Sequence, residues 1–144
     1  MTVVSEVLNR KGHTVASILP SESIRAAART LTDRRIGALV VCDRRGRLAG
    51  ILSERDIVRV LGERGAGVLE EPVAQVMTRK VVTCKETDTV AELMEMMTSG
   101  KFRHLPVIDN GKVVGLISIG DIVKRRVQEY ESEQEALRDY IKTA

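Results

Sequence analysis

Gly50-Ile51-Leu52-Ser53-Glu54-Arg55-Asp56-Ile57-Val58 returns 65 residues on (from 50 to 115) as Gly115-Leu116-Ile117-Ser118-Ile119-Gly120-Asp121-Ile122-Val123. Self-similarity at nearly half the length of a 144-residue chain marks two copies of one supersecondary unit. What recurs is Gly, two apolar residues, Ser, two variable residues, Asp and two more apolar residues. Each copy reads as a strand, a turn and the start of a helix. A hydroxyl and a carboxylate meet at that helix start, where free backbone N–H groups also receive an anion. The combination suits a sugar-phosphate ligand.

Each segment is preceded by a hairpin. Residues 36–42 form a short apolar strand, 43–46 a turn and 47–52 the returning strand. The second copy has 102–108, then Asp109-Asn110-Gly111, then 112–117. Asn-Gly between apolar runs is a strong hairpin signal. Before the first hairpin, Ser21 or Ser23 can cap a helix with the stripe Ile24, Ala27, Ala28 and Leu31. Thr87-Asp88-Thr89 opens its counterpart over Val90, Leu93, Met94 and Met97. Methionine at this spacing reads as core packing rather than a metal or cofactor box. Short strands are expected around 16–18 and 81–84, so each repeat runs strand, helix, strand, strand, helix. The predicted division is repeat one over 7–61, a linker over 62–75, repeat two over 76–126 and a helical extension over 127–144. Three Gly and one Pro between Gly62 and Pro72 mark the linker.

Either repeat alone buries too little apolar area for comfortable stability, so the two are expected to share one core. Hydrophobic content of 43% and charged content of 30% indicate a globular chain. Aromatics at 2%, with no Trp, argue against a stacking platform for single-stranded nucleic acid. A net charge of +3, from 23 basic and 20 acidic residues, is no dense basic stripe. Cys42 and Cys84 lie far apart in apolar runs and read as buried thiols, neither metal ligands nor a disulfide. With no membrane-length apolar run and no signal-peptide pattern, a cytoplasmic location is expected.

The last helix does not stop with the repeat. From Asp121 to about Thr143 there is no Gly or Pro. Val123, Val127, Tyr130, Gln134, Leu137 and Ile141 alternate in steps of four and three, an a/d seam with one polar member. The seam reads as a surface for a second chain; the alternative is that the helix folds back over its own sheet.

With two Gly-apolar-apolar-Ser-x-x-Asp segments in register, an apolar hairpin before each, and the strand Phe102-Arg-His-Leu-Pro-Val107, the chain resembles a tandem pair of cystathionine-β-synthase-type (CBS) domains. Such a pair is called a Bateman module, and the resemblance covers about residues 7–126. The C-terminal helix resembles the tail of some small stand-alone bacterial members. The resemblance implies an α/β (α+β) fold, two βαββα repeats packed with pseudo-two-fold symmetry. It implies a non-catalytic sensor of energy or redox state that binds AMP, ADP or ATP, or in some members NAD(H) or S-adenosylmethionine. It also implies a homodimer acting on a client protein.

Carried over residue by residue, the resemblance assigns ribose binding to Asp56 and Asp121, whose carboxylates can accept from vicinal hydroxyls. Ser53 and Ser118 are the hydroxyls that reach phosphate or ribose. Both pairs also have an ordinary role as helix caps, and the duplication favours binding. Arg103 and His104 match phosphate-contacting positions. On a strand they would point to opposite faces, one serving its own site and one a neighbouring site. Copy one has Gly37 and Ala38 at these positions and Val40 in place of Pro106. A phosphate there would need Arg55, Arg103, His104 or a residue of another chain. For adenine, the resemblance points to Val82, Thr83 and Cys84 with Phe102, Leu105 and Pro106 in copy two. In copy one it points to Ala16, Ser17, Ile18, Ile36, Gly37, Ala38 and Leu39. His13 is expected to be exposed in a loop.

Two other readings compete. An enzyme would need paired catalytic carboxylates, a nucleophile with its base, or a metal cluster; none is legible, His104 being the one candidate base. A nucleic-acid-binding dimer would use Lys124-Arg125-Arg126 with Arg44, Arg45 and Arg47, but interspersed Glu and the small net charge oppose it.

Overall fold

The computed structural model describes residues 1–143. Ala144, the end of the predicted extension, lies outside the described residues. Two hairpins form the frame: β2 (Ala38–Cys42) with β3 (Leu48–Ser53), and β4 (His104–Asp109) with β5 (Lys112–Ser118), both antiparallel. Asn110 (φ 50°) and Gly111 (φ 77°) are both left-handed, the conformation a two-residue hairpin turn requires. β1 (Ser17–Ile18) joins β2 in parallel and completes a three-stranded sheet in the order β1-β2-β3.

The strand expected over 81–84 is not formed. Only Cys84 bridges to Val107, donating its N–H to the Pro106 carbonyl (2.9 Å) and accepting from Ile108 (2.9 Å). Val81 and Val82 instead leave the sheet edge to line a cavity.

Helix α2 (Ile24–Arg34) starts at Ser23, whose Oγ accepts the Ala26 N–H (3.1 Å). In α4 (Val90–Gly100), Thr89 does the same for Glu92 (3.1 Å). Ile24, Ala27 and Leu31 are buried, as are Val90, Leu93 and Met97. The methionine stripe is core packing. Helix α3 (Glu54–Arg64) follows β3 directly, and α5 (Ile119–Thr143) follows β5.

The single shared core expected from chain length is corrected: there are two. Each is completed by a segment from the other half of the sequence. Helix α1 (Val4–Lys11) precedes repeat one but buries Val4, Val7 and Leu8 with Leu93, Leu105, Val107 and Ile117 of repeat two. Reciprocally, Val68, Val73, Val76 and Met77 pack with Ile24, Leu39, Leu52 and Ile57 of repeat one. So α3 runs through Gly62, and short 3₁₀ turns at Ala66–Glu70 and Val73–Gln75 carry buried apolar residues. Each lead-in packs beside the repeat's own two helices on one and the same sheet face, that of Leu39, Val41 and Leu52 in the first core and of Leu105, Val107 and Ile117 in the second.

This exchange explains the repeated glycine. A Cβ on Gly50 would lie 2.7 Å from the Thr78 carbonyl and 2.8 Å from Met77 Sδ. On Gly115 it would lie 2.6 Å from Leu8 Cδ2. In both copies the lead-in crosses the strand where no side chain fits. Ile51 and Thr78 exchange backbone hydrogen bonds at that crossing (3.0 and 2.9 Å).

Candidate functional site

At the β3–α3 junction Ser53 is the N-cap. Its Oγ accepts the Asp56 N–H (3.3 Å), while Asp56 Oδ2 accepts from the Ser53 N–H (2.9 Å) and hydroxyl (3.1 Å). This is a capping box with Asp in the reciprocal position. It commits one carboxylate oxygen and leaves Oδ1 facing the exposed Arg59 (3.2 Å), with lone pairs to spare. At the β5–α5 junction Ser118 and Asp121 repeat the geometry: Asp121 Oδ2 accepts the Ser118 N–H (2.9 Å) and Ser118 Oγ accepts the Asp121 N–H (3.2 Å).

The two junctions then diverge. Lys11 Nζ, from the last turn of α1, donates to Asp121 Oδ2 (2.5 Å) and to the Leu116 carbonyl (2.6 Å). Burial opposes the Asp121 charge, but the Lys11 ammonium and the Ser118 N–H outweigh it and hold the carboxyl below its ordinary value. The space beside it is only about 110 Å³, bounded by Val7, Arg10, Lys11, Lys124, Arg125 and Gln128. A small-molecule site needs roughly 300–1,000 Å³.

Beside Asp56 the cavity is about 490 Å³ and draws on both repeats. Repeat one supplies Gly37, Ile51, Ser53, Glu54, Arg55 and Asp56. Phe102, Arg103, His104 and Ile119 come from repeat two, and Thr78, Lys80, Val81, Val82 and Lys101 complete the lining. Ile51, Val81, Val82, Phe102 and Ile119 form an apolar wall. Four cations (Arg55, Lys80, Lys101 and Arg103) face two carboxylates (Glu54 and Asp56), a positive balance.

Arg103 and His104 line this one cavity together, contrary to the alternation expected of them. Arg103 lies in the bend before β4, which starts at His104, so strand alternation does not govern the pair. The Ile119 N–H donates to the Arg103 carbonyl (2.8 Å) as the Glu54 N–H does to Gly37 (2.9 Å), making Gly37 the counterpart of Arg103. A Cβ on Gly37 would lie 3.7 Å from the His104 ring. The imidazole therefore occupies the space into which a copy-one side chain would project. Burial first, and the positive charges of Lys11 and Arg103, outweigh Asp121 and Glu54 and lower its pKa.

Of the predicted residues, Ser53, Arg55, Asp56, Gly37, Val82, Phe102, Arg103 and His104 meet at the cavity. Ser118 and Asp121 stand at the other junction. Ile18, Leu39, Cys84 and Leu105 are buried in the two cores, and Ala38 and Pro106 are buried in β2 and β4. Ala16 and Ile36 pack against the first core, Ser17 is exposed, and Thr83 lies outside the lining. Burial raises the Cys84 thiol pKa to about 12, the mark of an inert core residue. His13 is exposed and reaches only Asn9 (3.1 Å). Sequence reasoning missed Ile51, Glu54, Thr78, Lys80, Val81, Lys101 and Ile119. The one available signal was the polar, basic run Thr78-Arg79-Lys80 between two apolar stretches.

Among the described residues no helix is long and apolar enough to cross a membrane, and no group of three or more His, Cys, Asp or Glu could hold a metal ion. The family model "CBS domain" matches residues 4–63 and 73–128, two stretches that each begin at the exchanged lead-in. The mitochondrial CBS domain-containing protein CBSX3 of Arabidopsis thaliana is 32% identical over 148 residues, covering 97% of this chain and 72% of that protein. The crystal structure of the CBS-domain protein ATU1752 from Agrobacterium tumefaciens superposes with a TM-score of 0.83 at 47% identity, covering 87% of this chain and 93% of that one. The CBS domain protein PAE2072 from Pyrobaculum aerophilum, complexed with AMP, superposes at 0.74 with 31% identity, covering 83% and 88%. Matched across both repeats in sequence and in fold, this chain belongs to the CBS-domain family, as a tandem pair.

Proposed function

We propose that this chain is a non-catalytic regulatory module that binds one phosphate-bearing adenosine nucleotide per chain, in the cavity beside Asp56. One observation carries the reading: a single cavity of about 490 Å³ unites an apolar wall, a capped carboxylate from repeat one and the cations of repeat two. Each part matches a part of the ligand. The wall takes the flat base, Asp56 Oδ1 accepts from the ribose hydroxyls, and Arg55, Lys80, Lys101 and Arg103 neutralise phosphate. Further support comes from the AMP complex of the similar Pyrobaculum protein. AMP, ADP, ATP and NAD(H) all carry these groups. Asp121, paired with Lys11 beside about 110 Å³ of space, is a structural cap in this reading. The working unit is a homodimer whose arrangement, or contact with a client protein, shifts with ligand occupancy by differential affinity for two states.

Calorimetric titration of ligand-stripped protein with AMP, ADP, ATP and NADH tests the proposal. One equivalent per chain is expected. Asp56→Ala or Arg103→Ala should weaken binding on the order of 10- to 100-fold, the worth of a charge-assisted hydrogen bond. Asp121→Ala should leave nucleotide affinity within about twofold. Absence of binding by every nucleotide, or loss only with Asp121→Ala, overturns the reading.

A further inference from the structure

Helix α5 continues far beyond the core it serves: of its 25 residues only Ile122 is buried. The body-facing side is set by Ile122, by Arg125, which donates to Thr2 Oγ1 (3.2 Å), and by Glu129, held by Arg126 (3.0 Å). At about 100° per residue the seam Val123, Val127, Tyr130, Gln134, Leu137, Ile141 lies roughly a third of a turn away from that side. Its apolar members are 48–65% exposed. Isolated exposed apolar residues are ordinary; a continuous heptad line of them is a surface lacking its partner.

The seam residues and their flanks specify the partner. The a positions are Val127, Gln134 and Ile141, and the d positions are Val123, Tyr130 and Leu137. β-Branched Val127 and Ile141 at a, Leu137 at one of the three d positions and the single polar Gln134 at a favour a two-stranded parallel coil in one register. The flanking g positions carry Arg126 and Glu133, and the e positions Glu131 and Arg138. In a parallel in-register pair each g residue meets the e residue five positions on in the other chain. That places Arg126 opposite Glu131 and Glu133 opposite Arg138, each twice by symmetry, and every pair is attractive. An antiparallel pair with a facing d would juxtapose Glu131 with Glu131, Glu133 with Glu133 and Lys124 with Arg138, all repulsive.

We propose that the exposed seam of α5 docks a second copy of this chain, helix against helix, as a parallel, in-register two-stranded coiled coil over residues 123–141. The proposal rests on the homodimer reading and is independent of nucleotide binding. Arg126 exchanges its intrachain pair with Glu129 for Glu131 of the second copy, and Glu129 stays on the body-facing side.

Sedimentation of the full chain without nucleotide, together with oxidative cross-linking, tests it. A dimer is expected. Leu137→Cys should give a disulfide-linked dimer on mild oxidation, since equivalent d residues face each other across a parallel axis but stand roughly 15 Å apart along an antiparallel one. The native Cys42 and Cys84 are buried and serve as the background. Leu137→Glu should weaken the dimer at least tenfold. Glu133→Lys should weaken it roughly threefold, and Glu133→Lys with Arg138→Glu should restore it. The half-exposed position of residue 137 keeps these variants folded, which helical circular dichroism checks. A monomer, a dimer insensitive to Leu137→Glu, or a Leu137→Cys dimer that does not cross-link overturns the proposal. Calorimetry with nucleotide on the same variants keeps its failure separate from failure of the nucleotide reading.

Discussion

Gly50 and Gly62 show how much one residue type can differ in consequence. At Gly50 a methyl group would meet a backbone carbonyl that is itself hydrogen-bonded and cannot move aside. Gly50→Ala should therefore lower unfolding stability by about 1–3 kcal/mol, the usual cost of overpacking. Gly62 lies in the last turn of α3 with nothing near its would-be Cβ, so Gly62→Ala should raise stability by about 0.4–1 kcal/mol. Urea denaturation of the pair measures both. His104 carries a prediction of a different kind. Its folded pKa lies below the ordinary 6.5, so near and below that pH the unfolded chain binds more protons than the folded one. The contribution to stability is whole above pH 6.5 and is lost as pH falls through the folded value. His104→Asn should flatten the decline in stability between about pH 7 and 5.5, followed by denaturant titration at each pH. The doubled Ser and Asp were legible residue by residue as caps and candidate ligands. That Lys11 engages only one of the two carboxylates was not, because residues 11 and 121 meet only in three dimensions.

Among the elements, the hairpins and helices follow their sequence signals closely. Alternation, Asn-Gly at the turn and Ser or Thr at the caps are short-range causes, and they act where they are written. The lead-in segments follow a different rule. Helix α1 and the 3₁₀ turns at 66–75 have modest local signatures and take their shape from the sheet faces they seal. The missing strand at 81–84 belongs here too: its residues have β propensity, but only Cys84 is in reach of β4, and the rest of the segment borders the cavity. The Lys11–Asp121 pair ties α1 to the start of α5. Both side chains are partly exposed, so Lys11→Met should cost only about 0.5–1 kcal/mol at neutral pH. Asp121 has a depressed folded pKa, so this contribution is present above the ordinary carboxyl value and vanishes as pH falls through the folded one. Wild type and Lys11→Met should converge in stability as pH falls below the ordinary carboxyl range and through the depressed Asp121 value, as thermal melts across pH would record.

For the molecule as a whole, exchange of lead-ins makes the two repeats one cooperative unit although their cores are separate. Leu8 lies near the start of the chain, where substitutions are ordinarily tolerated, yet it is fully buried against repeat two. Leu8→Ala should cost about 2–5 kcal/mol and accelerate amide exchange in β4 and β5. Unfolding should remain one transition by far-ultraviolet circular dichroism and by exchange, since neither core is complete without the other half of the chain.

The duplication, both hairpins, the helix caps and the heptad seam on the last helix were determined by the sequence alone. Each arises from interactions within a few residues or from a period visible along one element. Tertiary structure alone decided which lead-in seals which core, and so why glycine stands at 50 and 115. It also decided that the cations of copy two face Asp56 of copy one, and that Asp121 is closed by Lys11. These are contacts between residues tens of positions apart, set by how two twisted sheets and their helices fill space. No local pattern encodes that packing.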